Sequence, residues 1–571
     1  MPLLLLLAGL AHADDPAPDD AALKAVLDEA LATYPEALSL PEAPPMYHLR
    51  YHVVRYDSVA ARASMGSPVY VDPRESHRVG VEVRLGTPAF DNLGFGGWQD
   101  GISQAGLPVR LTPHALDVGL WRLTDRAYKE AVEQYARKEA QVPERDDHPG
   151  DYTLTGPQTV SMPAPAASEP RPLAELAVRL SEAWDGVGVF DRADVYVGHE
   201  VGRRWTVDTE GSDVRTAHQE TTLRAAAHLR TPEGDLLTDS VLWTVRDPSE
   251  LPDEAAMRKQ VQAARDRLLA AGKAQTLDDE YVGPLLFENT AATDLFMYLL
   301  PEQLEGTPGE IPFDTWFGDM GMARDPVRVG RRVLPPGWSV VDDPATPSAH
   351  PGTFTHDAEG TPTERIELVT DGIVRTLAMS RVPRPGLEQT NGHARGGLGS
   401  RPEARVTMLT VSPPKQVSAG KLRKLALKAA KAYGRDWVFV VQRLQVPAVQ
   451  NLSRGGGMLM FGGDDEQLLP SPVVLVRLFA DGREELVRGA RFASVTRFVL
   501  RDLLAAGPTG AASAMFPSMG EWGDLGATEG LPGHVQAPSV LVGEIELVPE
   551  RGDPRDAPVL PPPPGSLSIG G

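Results

Sequence analysis

Apolar residues recur along this chain with two periods, and the switches between them divide it into elements. Leu23, Val26, Leu27, Ala30 and Leu31 keep the three-and-four spacing of one helix face, so 21–34 is predicted as an amphipathic helix. From Met46 to Tyr56 the pattern alternates and is rich in Tyr, His and Val, which predicts a strand; Arg78–Leu85 predicts another. Helical spacing returns at 120–140, with charges placed for i,i+4 pairing. Residues 141–172, rich in Pro, Asp, Ser and Ala, read as a linker or long loop. Beyond them the chain predicts a helix over 173–184, strands at 192–197, 204–208, 221–230 and 240–246, and a long charged helix over 253–271. Strands follow at 365–378 and 404–412, separated by Gly and Pro turns. Ser418 caps a basic helix over 421–433 that stops at Gly434, and strands at 437–444, 473–479 and 539–548 complete the series. No repeat of fixed period occurs. Mainly antiparallel strands with separate helices argue an α+β fold.

Composition narrows the partners and the chemistry. Across 571 residues, 56 basic side chains face 78 acidic ones, a net charge of −22, which repels nucleic acid and anionic membrane surfaces. The chain has no cysteine, which excludes disulfides, thiol nucleophiles, iron–sulfur clusters and zinc sites built on thiolate. Glycine (55) and proline (52) make up about a fifth of the residues, which predicts many turns and short strands. At the N-terminus, Leu3–Leu7 and Ala8-Gly9-Leu10 form an apolar run that ends in Ala11-His12-Ala13, a small-x-small cleavage pattern. Residues 1–13 are therefore expected to be a signal peptide, although no Lys or Arg precedes the run, and the mature chain to be periplasmic or secreted. No other segment reaches 18 apolar residues, so no membrane span is expected.

Few residue constellations carry chemistry on their own. His48 and His52 lie four apart, the spacing of a metal pair on a helix, but the surrounding alternation makes them two half-exposed strand histidines. Gly455-Gly456-Gly457 and Gly462-Gly463 lack the Lys-Ser/Thr pair of a phosphate loop and read as a flexible hairpin. Asp342-Asp343 and Asp464-Asp465-Glu466 are too short for a loop of spaced calcium ligands. No G-x-S-x-G elbow supports a serine hydrolase. The helix with Lys421, Arg423, Lys424, Lys428 and Lys431 reads as a surface helix docked on a sheet through Leu422, Leu425 and Ala429.

Several segments, taken in order, resemble the TldD/PmbA family of metallopeptidase-related proteins. Asp357-Ala358-Glu359-Gly360-Thr361-Pro362 is similar to the family's acidic-Gly-Thr-Pro turn, and Glu367–Met379 to the strand-turn-strand after it. Thr390-Asn391-Gly392-His393-Ala394-Arg395 resembles its Gly/Asn/Arg loop, and Pro402–Thr407 its next strand entry, with Met408 where the family usually has Asn. Ala480–Ala490 and Ala537–Val548 resemble the closing strands. Arg204–Arg215 looks like an upstream strand and Ser-Glu-Gly-type turn, with Thr209 at the serine position, and 46–142 resembles the leading region of larger secreted relatives.

The resemblance implies an N-terminal α+β portion and a C-terminal domain of curved, mainly antiparallel sheet with helices. The corresponding division is 14–150 as an N-terminal extension, 151–280 and 281–550 as the family's two regions, and 551–571 as a disordered Pro-rich tail. It also implies a zinc site of the form His-Glu-x-x-x-His plus a distant cysteine. In this sequence Phe287 and Ala292 stand at the two histidine positions, Glu288 alone remains of the motif, and no cysteine exists. Neither a phenyl ring nor a methyl group donates an electron pair, so no metal cofactor and no peptidase activity of the isolated chain are expected. Glu288 is expected to be a carboxylate at a helix start rather than a catalyst. Three readings stay open. The first is a non-catalytic, TldE-like subunit beside a zinc-bearing TldD-like paralogue, with unfolded peptide as substrate. The second is a stand-alone peptide-binding or scaffold protein, possible as a homodimer. The third is an active metallopeptidase with a different metal site.

Overall fold

The computed structural model describes residues 20–95, 101–142, 149–163, 165, 169–184, 190–309, 328–396, 398–445, 469–493, 495–516, 531–553 and 555. The leader 1–13, the glycine-rich stretch 455–463 and Asp464-Asp465-Glu466 lie outside them. Helix α1 (Asp20–Ala37) leads into a long hairpin of β1 (Met46–Ser64) and β2 (Ser67–Thr87). Met65 and Gly66 close it, both with positive φ (49° and 75°), the backbone that matches a two-residue turn to the strand twist. Strands of 19 and 21 residues overturn the expectation of short ones. Burial is concentrated near the open end of the hairpin, at Leu49–Val54 and Val79–Leu85, while Ser67–Ser76 of β2 are exposed or half-buried.

Short β3 (Phe90–Asp91) and β4 (Ile102–Leu107) pair with β2. Helix α2 (Pro113–Gln141) begins earlier than its sequence pattern predicts, because Thr112 accepts a hydrogen bond from the Ala115 amide and Pro113 takes the first turn. Next come β5 (Thr159–Ser161), α3 (Pro170–Ser181), β6 (Phe190–Asp208), β7 (Asp213–Arg230), β8 (Leu236–Val245) and α4 (Glu254–Gly272). The first sheet runs β3-β2-β1-β6-β7-β5. One face is apolar and takes all four helices. Leu49, Tyr51, Val81 and Val83 pack against α1 and α2, and Ala61, Val195, Val197 and Leu223 against α3 and α4.

The second sheet begins with β9 (Gln275–Thr276) and β10 (Tyr281–Phe287), followed by α5 (Asn289–Leu299) and α6 (Pro301–Leu304). It continues through β11 (Ser339–Asp342), β12 (Ile366–Thr370) and β13 (Ile373–Val374). A two-stranded ribbon of β14 (Ala394–Arg395) and β15 (Glu403–Ala404) interrupts it. Then come β16 (Met408–Ser412), α7 (Ala419–Ala432), β17 (Trp437–Leu444), β18 (Pro472–Phe479), β19 (Glu484–Arg488), β20 (Ala490–Ala493), β21 (Leu503–Phe516) and β22 (Leu531–Pro549). The order is β13-β12-β11-β16-β22-β10-β17-β18-β19-β9, with β20 and β21 on the free side of β22. Antiparallel pairs dominate this α+β fold, with parallel ones at β5–β7, β10–β17, β16–β22 and β19–β9. Ser418 caps α7 through Lys421 N–H, and Leu422, Ala426 and Ala430 dock it on Val438, Val440 and Val476.

The second face of the first sheet is not open to water. Glu359, Arg381 and Leu398 lie over it, with Leu398 against Val54 and Tyr56. The approach is close: a Cβ on Gly80 would stand 2.3 Å from the Leu398 carbonyl oxygen. The presumed linker also contributes here, since Tyr152 is buried and β5 pairs with β7. Arg551 and Gly552, assigned to the tail, are docked, donating to the Leu277 carbonyl at 2.7 Å and to Asp235 Oδ1 at 2.6 Å.

Candidate functional site

Two places bear on function. The first is the junction of β10 and α5, where the sequence places Phe287, Glu288 and Ala292. β10 is an inner strand, with Phe287 opposite Val441 of β17 and Val540 of β22. Phe287 is fully buried and lies nearly parallel to the Phe492 ring at 6.1 Å. Ala292 is buried on α5 in the same core. Glu288 occupies the N-cap position without hydrogen-bonding the helix amides; Asn289, at φ 53°, begins the helix. The Glu288 carboxylate instead receives Arg423 Nε and Nη2 at 2.9 and 2.8 Å, and Arg423 Nη1 reaches Glu484 at 2.6 Å. Both carboxylate oxygens of Glu288 are thereby committed to one guanidinium fork. Farther along α5, burial pushes the Asp294 carboxyl up to about 7, with Arg443 pulling the other way. That Arg443 binds Asp239 and the Ser240 carbonyl of β8, joining the two sheets.

The second place is the seam between the sheets, and sequence reasoning missed it. Strand periodicity puts His48, Arg50 and His52 of β1 on one face, opposite Arg84, Glu82 and Gly80 of β2. All three are fully buried, which corrects the expectation of half-exposed histidines. Arg50 Nη1 donates to Glu82 at 3.1 Å, and Arg84 donates to Glu82 at 2.5 Å and to Asp91 at 2.7 Å. Asp208, last in β6, accepts the Glu210 and Ser212 amides on Oδ1 (3.0 and 3.1 Å) and so shapes the turn that carries Glu210. Glu210 Oε2 accepts the Thr155 and Gly156 amides at 2.9 and 2.8 Å.

The C-terminal half closes the seam. Asp357 Oδ1 accepts the Glu359 and Thr361 amides, both at 2.9 Å, while Oδ2 accepts the Ala394 amide at 3.0 Å. This locks the acidic-Gly-Thr-Pro turn and brings Glu359 to 3.7 Å from Arg50. Arg381 reaches Glu210 and donates to the Thr153 carbonyl at 2.8 Å, and its own amide donates to Glu359 at 2.7 Å. The Arg84, Arg381 and Arg50 guanidiniums surround the Tyr152 ring at 3.6, 4.4 and 5.7 Å from its centroid.

Electrostatics follow the packing. Burial opposes ionisation of Glu82, but Arg84 and Arg50 outweigh it and hold the carboxyl below its ordinary range. Glu359 goes the other way: burial pushes it up to about 7 despite Arg50, and Asp357 adds to the rise. Burial, with Arg50 assisting, holds His48 well below the ordinary imidazole value, so its ring is neutral. Among the described residues, the one group of three or more His and carboxylate side chains close enough to share a metal ion is His48, Asp208 and Glu210. Asp342, the other candidate acidic site, is buried and committed to the Met408 amide at 2.6 Å, with His393 Nε2 at 3.4 Å.

The comparisons agree with this architecture. Residues 283–429 match the PmbA/TldA metallopeptidase C-terminal domain. No curated protein matches the chain in sequence. A crystal structure of a proposed modulator of a DNA gyrase from Thermotoga maritima superimposes with a TM-score of 0.56 at 14% identity, covering 92% of this chain and 100% of that one. TldE from Thermococcus kodakarensis gives 0.53 at 14% identity, with the same coverages. A proposed DNA gyrase modulator from Bacteroides thetaiotaomicron gives 0.51 at 11% identity, covering 93% and 98%. At such identities the structural likeness is one of fold. The family match itself covers residues 283–429, and the shared fold extends over most of the chain.

Proposed function

We propose that this protein is an exported, non-catalytic, TldE-like subunit of a peptide-degrading assembly. The observation that carries the reading is the β10–α5 junction. Phe287 and Ala292 fill the two positions assigned to zinc-binding histidines with core side chains, and the chain has no cysteine to complete such a site. Glu288, the remaining motif residue, is held by Arg423. In this reading a zinc-bearing paralogue supplies the hydrolysis, and this chain supplies chamber wall and strand edges on which an extended peptide pairs. Among the described residues no helix is long and apolar enough to cross a membrane. The resemblance of the protein to TldE from Thermococcus kodakarensis supports a role of this kind by analogy of fold.

Native pull-down of the tagged chain from its own envelope fraction tests the proposal. A zinc-motif paralogue at near-equal amount, with peptidase activity in the complex and none in the isolated chain, is the expected result. Recovery of the chain alone as a monomer or homodimer overturns it in favour of a stand-alone binding or scaffold protein. The mass of the envelope-associated chain tests export separately, since cleavage after Ala13 leaves Asp14 as the first residue.

A further inference from the structure

The seam holds atoms of His48 and Asp208 that its own hydrogen bonds do not use, beside Glu210, whose Oε1 is held by Arg381 and whose Oε2 accepts the Thr155 and Gly156 amides. His48 is fully buried, and neither ring nitrogen has a hydrogen-bond partner in the protein; its Nδ1 stands 3.5 Å from Glu210 Oε1. Asp208 Oδ2 is also buried without a hydrogen bond, 4.0 Å from Arg50 Nε and from Arg381 Nη1. One ligand atom each from His48, Asp208 and Glu210 lies within 4.8 Å of the others. Buried imidazoles and carboxylates ordinarily satisfy their polar atoms, so unused ones converging on one point indicate a ligand.

The charge balance specifies its sign. Arg50, Arg84 and Arg381 are linked by ion pairs to Glu82, Asp91, Asp208, Glu210 and Glu359, so three guanidiniums meet five carboxylates. With Glu359 protonated, as burial favours, the network carries one excess negative charge, and a second once Glu359 ionises, in a buried seam where uncompensated charge is costly. A divalent cation cancels both. One imidazole and two carboxylates form a mixed nitrogen–oxygen set that suits zinc or manganese, and it is too poor in oxygen for calcium.

We infer that His48, Asp208 and Glu210 bind one divalent transition-metal ion, zinc or manganese, at the seam between the two sheets. Bonds of about 2.1 Å set ligand atoms about 3.4 Å apart around a tetrahedral ion, so the His48–Glu210 spacing of 3.5 Å already fits and Asp208 lies within 4.8 Å of both. The ion would brace the sheets through Glu210, which Arg381 also grips. Glu210 is the least buried of the three ligands, at 10% side-chain exposure. The role is structural and does not depend on the subunit reading above.

Full-length untagged protein, stripped with chelator and dialysed, is titrated with Zn²⁺ and separately with Mn²⁺, and bound metal is measured by mass spectrometry. The expected result is one equivalent of either ion and a rise in the melting temperature. His48→Gln removes no hydrogen bond and should keep the metal-free melting temperature, yet lower affinity by roughly a hundredfold. Co²⁺ loading gives an independent readout, a visible absorption band that His48→Gln abolishes. Equal binding by wild type and His48→Gln, or no stoichiometric binding of either ion, overturns the inference and leaves the seam to ordered water.

Discussion

Arg381 is the side chain on which the join between the two sheets most depends, and Arg381→Met tests that directly. It is buried to within 1% and serves Glu210, the Thr153 carbonyl and the Tyr152 ring, while its amide holds Glu359. Methionine keeps most of the apolar stem volume and opens little cavity, so the charge effect dominates. Removing one partner of a buried ion pair costs about 3–5 kcal/mol, because Glu210 then keeps its charge without its guanidinium while Asp208 retains Arg50 alone. The loss of the bond to the Thr153 carbonyl is part of the same cost. Against typical stabilities of about 5–15 kcal/mol this is a large fraction. Urea unfolding of metal-free protein, followed by tryptophan fluorescence, should show a lower midpoint. Glu210→Gln in the Arg381→Met background should then recover at least about 1.5 kcal/mol, since it removes the stranded charge. A cost below about 1 kcal/mol, or strict additivity of the two changes, would refute the claim that the seam is held by paired charge.

Other outcomes follow from single groups. Folded Asp294 keeps its proton to about pH 7, whereas the unfolded carboxyl releases it near its ordinary value of 3.8. Between these values the unfolded state binds fewer protons, so this group erodes stability as pH rises; Asp294→Asn should remove that slope and gain on the order of 2 kcal/mol at pH 8, measured by denaturation across pH. His228 and His350 are held neutral by burial, down to about 4 and about 3. The unfolded chain protonates its histidines near 6.5, so these two should cost stability as pH falls from about 6.5 toward 4, and His350→Gln should lessen that acid loss in the same assay. Gly80→Ala drives a methyl group into the Leu398 carbonyl and should lower stability by about 1–3 kcal/mol, with faster amide exchange at 398–400 as the local sign. Phe287→His with Ala292→His should not confer tight zinc binding at the β10–α5 junction, since the third ligand is still missing; equilibrium dialysis on a His48→Gln background checks this apart from the seam.

What the sequence revealed and what it concealed have the same origin. The alternation at 46–56 identifies β1, because period two is a local property of the chain. The same alternation cannot say what lies over its polar side. Asp208, Glu210, Glu359 and Arg381 come from more than 150 residues away, so a face of His and Arg passes for a half-solvated one. A usable signal was present: the charged positions on that face are Arg50, Arg78, Glu82 and Arg84, with no lysine, and arginine is the cation suited to buried pairing. Tyr152 was hidden for a different reason, since a Pro- and Asp-rich stretch without period can still be pinned by one aromatic ring. At the junction, Phe287 and Ala292 were located by resemblance. Their burial and the engagement of Glu288 by Arg423 depend on β17, β20, β22 and α7, which only the fold assembles.

The position of β22 also has a consequence in time. On one edge it pairs with β16 and then β10, and on the other with β21 and then β20. All four partners precede it in the chain. As the polypeptide emerges during synthesis, the first sheet can pair as soon as β8 is made, but the second has no spine until residue 531 and beyond exist. Until then β10, β16, β20 and β21 each wait with one edge open, across a span of more than two hundred residues in which chaperones have the most to protect.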